Sequence, residues 1–490
     1  MRPLELLIAI ASVSYLFCLS FGSGLANPVV RALPFVALLF VALHLITERY
    51  RWHMIPVYAL VALILFSYPW CNSHHFRIRL TYLAIGWAVA FVLLSASAIT
   101  AGVIYPVFEF TSLTGQYAVG TVSEHLIDSQ RIDPYAGTPA AKRELMVQVW
   151  YPAATTRGYA RAMYRDGRTS GWRDSNLALV KTRSFVSPPI SRSQPRYPVL
   201  IFSGPFNRFQ NTFETEELAS HGFIVVGVDH PYDSDLVVFP DGRRIRVRKA
   251  NTFLDFASAE ALRESTREVE FDLKVRVADI QLVLDQLKIW DSPDPAVPFS
   301  GCLDLARIGM FGHSFGGAVA AEVARRDPRI RAVINMDGWM FGESGPLGVP
   351  KPAFFMVDCT PRPTPAELSS GNEESRLVSH RIEQGYQDIE RSMSRYGGDY
   401  LQVPGLEHMN YSDGPLHSQL KMRTGAGAID ARRAHELVDR LSLAFFQRSL
   451  LGETQASLHS IAAEFPEAKF QEVPAKSEAV ISQKTAEVGH

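Results

Sequence analysis

The stretch IGMFGHSFGGAVAAEVARR, residues 308–326, sets a short apolar run against a run of good helix formers and holds a serine between two glycines at the join. A G-x-S-x-G cluster alone is weak, because Gly-Ser-Gly groups mark turns in many proteins. Its surroundings make it specific. Ile308 to Phe311 reads as a buried strand and Ala318 to Arg326 as a helix, which is the strand, sharp turn and helix that an exposed nucleophile requires. Gly312 and Gly316 let the backbone pass through a strained turn and leave room around the serine oxygen. Ser314 is therefore the candidate nucleophile.

Working outward, the pattern from about residue 140 onward alternates strands with helices. LMVQVWYP (145–152), YPVLIFSG (197–204), FIVVGVDH (223–230), ARIGMFG (306–312), RAVINMD (331–337), PAFFMVD (352–358) and DYLQVPG (399–405) read as strands ended by turn residues. Helical stretches fall near 212–221, 257–290, 315–326, 373–395 and 431–450. The longest carries Phe271, Val275, Val277, Leu282, Leu284 and Leu287 among charges, close to an amphipathic repeat. Near-continuous apolar strands between helices predict an α/β fold with a mostly parallel sheet covered on both faces. The expected boundaries are a linker over 111–140, a catalytic domain over 141–451 and a polar, loosely ordered tail over 452–490.

In such a sheet ligands bind at the carboxyl ends of the strands, so partners for Ser314 belong there. A serine hydroxyl is a weak nucleophile and needs a histidine to take its proton and a carboxylate to fix that histidine's tautomer. In α/β-hydrolases the chain order is serine, acid, histidine. Downstream of Ser314, His380, His435 and His459 fall in helical or tail stretches. His408 sits in PGLEHMNYSD just past the last strand, where a base on a loop belongs, and His417 follows as the second choice. Two carboxylates end strands in the required interval, Asp337 in VINMDGWMF and Asp358 in FFMVDCT. The commoner α/β-hydrolase arrangement uses the later strand, and periodicity does not separate the two.

Ahead of this domain, apolar runs cover 4–21, about 30–46, 54–69 and 80–105 of the 490 residues. A bilayer-crossing helix needs about 20 mostly apolar residues, so region 1–110 is expected to hold about four transmembrane helices, the third being marginal in length. Interfacial charges and aromatics in TERYRWH (47–53) and YPWCNSHHFRIR (68–79) support a multi-pass membrane protein. Arg2, Arg49 and Arg51 on one face balance Arg31, Arg77 and Arg79 on the other, so loop charge does not assign a side. With a net charge of −1 and no single-sign basic block, nucleic acid is excluded as a partner. RRIRVRK (243–249) alternates, and reads as an edge strand after the Asp241-Gly242 turn. The four cysteines have no metal-ligand spacing. Only Cys302 and Cys359 lie where a pair could form in the soluble part.

Three ordered segments, YPVLIFSGPFNRFQNTFETEELASHGFIVVGVDH, GHSFGGA and INMDGWMF, resemble the platelet-activating-factor acetylhydrolase family of α/β-hydrolases, which includes the lipoprotein-associated phospholipase A2 type. The resemblance covers roughly residues 140–450, and WYP at 150–152 matches it too. It implies that the acid lies in an Asp-x-Trp-Met stretch, which falls on Asp337, leaving Asp358 as the alternative. It also implies an oxyanion hole from two backbone N–H groups, those of Phe315 and Phe206, the latter by ungapped match to a Phe-Ser-His-Gly-Leu-Gly stretch. The chain departs from that stretch with Gly204 and Pro205, and proline has no N–H to donate. The implied activity is a serine esterase acting on short or oxidised acyl chains of phospholipids without metal or organic cofactor. A general carboxylesterase resembling dienelactone hydrolase, or a membrane-anchored binding module without chemistry, are the alternatives.

Overall fold

The strand before Ser314 lies in the interior of a large sheet, flanked by strands on both sides. In the computed structural model the described residues are 3–20, 27–48, 51–71, 89, 96, 104–138, 140–165, 176–248, 254–294, 299–453 and 457–474. They divide into two units, one of Met1–Phe108, Arg165–Val180 and Leu416–Leu420, the other of Glu109–Tyr164, Lys181–Pro415 and Lys421–His490.

In the second unit the strands are β1 (Ala118–Ile132), β2 (Lys142–Ala153), β3 (Arg161–Met163), β4 (Lys181–Val186), β5 (Tyr197–Ser203), β6 (Ile224–Asp229), β7 (Leu236–Val238), β8 (Arg244–Arg246), β9 (Leu303–His313), β10 (Ile330–Met336), β11 (Ala353–Val357), β12 (Gly398–Gln402) and β13 (Lys469–Val473). Eleven form one sheet in the order β13-β12-β11-β10-β9-β5-β6-β2-β1-β4-β3, and β7 pairs with β8 alone. From β12 to β6 every neighbouring pair is parallel, whereas β2 and β13 close the two sides antiparallel. All seven strands read from the sequence are present. Within the basic stretch, Arg244–Arg246 form β8, paired antiparallel with β7, and both arginines are exposed as the alternation predicted.

The parallel strands are apolar because both faces are covered. On one face the helix Ala259–Trp290, capped by the Ser258 side chain, lays Val269, Leu273, Val277, Ile280, Leu284 and Leu287 into the core. The stripe differs from the expected one at Phe271, whose side chain faces outward. On the other face, helices Thr212–Ser220 and Ala431–Phe446 bury Leu218, Leu441 and Phe446.

Two expected boundaries are corrected. The stretch expected as a linker contains β1, whose polar residues read as loop because its burial is mixed along its length. The expected loose tail returns over 457–474 through helix Leu458–Ala463 to β13, an edge strand on β12. Its remainder, 475–490, lies outside the described residues.

The first unit is helical, with helices Pro3–Ser20, Pro28–Leu43 and Ile55–Cys71. Among the described residues one helical stretch, Pro28–Glu48, is long and apolar enough to cross a membrane, at 21 residues. The apolar parts of its neighbours, Pro3–Cys18 and Trp52–Phe66, are shorter. The expected four spans, and the multi-pass topology built on them, are therefore corrected to one candidate. Runs 1 and 3 fall below the roughly 20 residues a bilayer requires. The fourth expected run, 80–105, lies almost wholly outside the described residues.

Candidate active site

Register brings the ends of the central strands level. Ser203 pairs with Gly312, His313 with Met336, and Met336 with Met356. Ser314, Asp337 and Asp358 therefore follow the carboxyl ends of β9, β10 and β11, and His408 lies on the loop after β12. The ladder continues into the turns: the Ser314 N–H donates to Met336 O at 2.8 Å and the Asp337 N–H to Met356 O at 2.7 Å.

Ser314 has φ 56° and ψ −127°, a left-handed conformation held between β9 and the helix Phe315–Arg326. Such strain persists only where surrounding structure fixes it. Here the glycines are required by close approach, since a Cβ on Gly312 would run into the Gly316 carbonyl and one on Gly316 into the Ser203 carbonyl. Asp337 shares the positive φ, at 55°.

His408 Nδ1 lies 2.5 Å from Asp337 Oδ2. The other carboxylate oxygen of Asp337 accepts the Asp358 N–H at 3.0 Å. Burial disfavours the charged imidazole of His408, but the hydrogen bond and charge of Asp337, with the charge of Asp358 behind, outweigh it and hold the pKa above the ordinary 6.5. Asp358 takes a different part: its two oxygens accept the Thr360 N–H and hydroxyl, each at 2.9 Å. Burial first, then the Asp337 charge, push its pKa up to about 6. His417 belongs to the first unit, its ring stacked on Phe108 at 5.8 Å.

Ser314, Asp337 and His408 line one cavity of about 340 Å³. Its walls are largely aromatic and aliphatic, with Phe256, Trp339, Phe341, Tyr386 and Ile389 among them. Of the two expected oxyanion donors, Phe315 lines this cavity, and its N–H opens the helix, where geometry leaves no intrahelical acceptor. Phe206 is not among the lining residues, and its N–H donates to Gln210 Oε1 at 3.2 Å.

Four residues that sequence reasoning missed tie these loops together. Gln210 Nε2 donates to His313 Nδ1 at 2.6 Å, and His313 Nε2 in turn donates to the His408 carbonyl at 2.8 Å. This assigns the His313 tautomer from its network. Burial, followed by the nearby charge of His408, drives the His313 pKa well below 6.5, so it stays neutral. The fully buried Arg276 donates to Gly204 O and Asp233 Oδ2, both at 3.0 Å, with its guanidinium 4.8 Å from the Phe315 ring centre. Asp413, five residues past His408, accepts the N–H groups of Thr212 and Phe213 and donates its own to Gln210 O. No local periodicity announces such contacts. Cys302 and Cys359 are free thiols, and Cys359 donates to Glu407 Oε1 at 3.1 Å.

Several known proteins are similar to this chain. A platelet-activating factor acetylhydrolase of Cavia porcellus is 29% identical over 301 residues, covering 55% of this chain and 61% of the relative. An Arthroderma benhamiae protein named "probable 1-alkyl-2-acetylglycerophosphocholine esterase" is 27% identical, covering 56% and 66%. The chain thus spans about three fifths of the length of the curated relatives it matches. Among solved structures, a ferulic acid esterase from Streptomyces cinnamoneus superposes with a TM-score of 0.58 at 28% identity, covering 75% of this chain and all of the esterase. The profile described as platelet-activating factor acetylhydrolase, isoform II, matches residues 108–457, and the chain belongs to that family.

Proposed function

We propose that the chain is a serine ester hydrolase acting on short or oxidised acyl chains of phospholipids, with Ser314 as nucleophile, His408 as base and Asp337 as the orienting acid. The observation that carries this reading is the 2.5 Å contact between Asp337 and His408 in the cavity lined by the strained Ser314. His408 Nε2 takes the proton of Ser314 Oγ as that oxygen attacks the ester carbonyl. Asp337, bound to Nδ1, fixes the tautomer and steadies the imidazolium. Phe315 and Phe206 donate their N–H groups to the oxyanion, Phe206 exchanging its bond to Gln210 for the developing charge. The imidazolium then protonates the departing alcohol, and water releases the acyl group by the same steps in reverse. No step requires a metal or organic cofactor.

The apolar side chains exposed on the three described N-terminal helices, Phe17, Phe35 and Phe66 among them, support attachment to a bilayer beside such a substrate. A second reading, hydrolysis of small or aromatic esters, is favoured by the aromatic cavity wall and by the likeness to a ferulic acid esterase.

Labelling detergent-solubilised protein with a fluorophosphonate probe tests the nucleophile. Labelling in wild type that disappears in Ser314→Ala and falls steeply in His408→Ala is expected. Folded wild-type protein that takes up no probe would exclude the enzyme reading. Hydrolysis of 1-alkyl-2-acetylglycerophosphocholine measured beside a feruloyl ester then separates the two substrate classes.

A further inference from the structure

The first unit gathers ionisable side chains in a largely buried cluster at the ends of its helices. Glu5 stands in the first turn of helix Pro3–Ser20, and His44 and Glu48 bound the single π-helical turn that extends the second helix. His53 lies in the short turn Trp52–Met54 before the third. Charged groups in so apolar a setting are costly to bury and mark functional sites, as π-turns often do.

Ligand atoms from Glu5, His44 and Glu48 lie within 4.8 Å of one another. His44 Nε2 is 3.5 Å from Glu5 Oε1 and 3.5 Å from Glu48 Oε2, and His53 Nε2 is 3.7 Å from the same Glu5 oxygen. These separations are too long for hydrogen bonds. They match the roughly 3.4 Å edge of a tetrahedron whose metal–ligand bonds are about 2.0–2.1 Å.

The imidazoles supply the independent observation. The His44 side chain is fully buried and its Nε2 has no hydrogen-bond partner, while Nδ1 lies 2.9 Å from the Tyr58 hydroxyl. A ligating histidine is held in this way, its far nitrogen donating to an outer partner while the near one presents its lone pair. Both ring nitrogens of the buried His53 likewise lack hydrogen bonds. Arg51 Nη1, 2.7 Å from Glu5 Oε1, offsets part of the carboxylate charge without supplying a ligand.

We propose that Glu5, His44 and Glu48, with His53 as fourth donor, form a closed structural site for a divalent transition metal of the zinc class that ties the three N-terminal helices together. Mixed imidazole and carboxylate donors select zinc-like ions over calcium or magnesium, which prefer oxygen throughout.

The test uses the full chain in detergent, stripped with a chelator and titrated with zinc in competition with a chromogenic chelator. One tightly bound zinc per chain is expected, with thermal unfolding shifted upward by the metal. Binding should weaken at least tenfold in His44→Gln and in Glu48→Gln. Tyr58→Phe keeps every ligand and removes the hydroxyl that meets His44 Nδ1, and it should weaken binding by about 10- to 100-fold. It is the deciding variant if the ligand substitutions do not fold. Absence of stoichiometric zinc in the stripped and titrated wild type, or an affinity untouched by Tyr58→Phe and the ligand variants, would overturn the site.

Discussion

The imidazole of His313, next in sequence to Ser314, donates from Nε2 to the carbonyl oxygen of His408 at 2.8 Å, so the residue beside the proposed nucleophile holds the residue proposed as its base. The other ring nitrogen accepts from Gln210, whose Oε1 holds the Phe206 N–H. One chain of hydrogen bonds thereby joins the loop after β5, the end of β9 and the loop after β12.

His313→Leu should lower kcat by up to about 10²-fold with little change in KM, because a displacement of order 1 Å at the base is enough for such a loss. The pH profile should keep its acid limb, since the Asp337–His408 contact is intact. His313→Gln, which retains a donor, should recover part of the rate. Steady-state kinetics on the three proteins reads all of this.

Asp337 and Asp358 make a direct contrast. Asp337→Asn should cut kcat by about 10⁴-fold through the wrong tautomer of His408. Asp358→Asn, whose oxygens serve Thr360, should fall well short of the roughly 10²-fold that losing an acid–base partner costs. Equal losses in the two variants would reassign the acid.

The pH dependence follows from the raised pKa of His408. A base must be neutral, so kcat/KM should rise as pH passes through a value above the ordinary 6.5. In Asp337→Asn the hydrogen bond and charge of Asp337 are gone, leaving only the charge of Asp358 against burial, so the residual activity should have its acid limb displaced to lower pH. A profile from pH 5 to 9 distinguishes the two directions.

Arg276 is fully buried between Gly204 O and Asp233 and lies against the Phe315 ring. Arg276→Met leaves the Asp233 carboxylate without that partner, and breaking a buried pair in this way costs about 3–5 kcal/mol. Chemical denaturation should show that loss, and fluorophosphonate labelling of the folded fraction should slow as the loop carrying Phe206 loosens.

Legibility in the sequence followed the range of the interactions. The strand, elbow and helix around Ser314 were readable because each rests on contacts within a few residues. Apolar strands and glycines at a strained turn are local requirements. β1 and β13 were not readable, because their polar residues become strand only through pairing with β2 and β12. Among the described residues the apolar runs overstated the spans, because composition counts residues whereas a bilayer requires unbroken helix length.

By itself, the sequence determined the α/β class, the serine at its elbow and a short set of possible partners, through periodicity and turn chemistry. Tertiary structure alone decided which carboxylate meets His408, because Asp337 and Asp358 end adjacent strands alike in the sequence and only the folded chain sets Asp337 against the imidazole and Asp358 against Thr360. The same holds for Gln210, His313 and Arg276, polar residues whose partners are distant in the chain and are fixed by burial, where an unpaired donor or acceptor is costly.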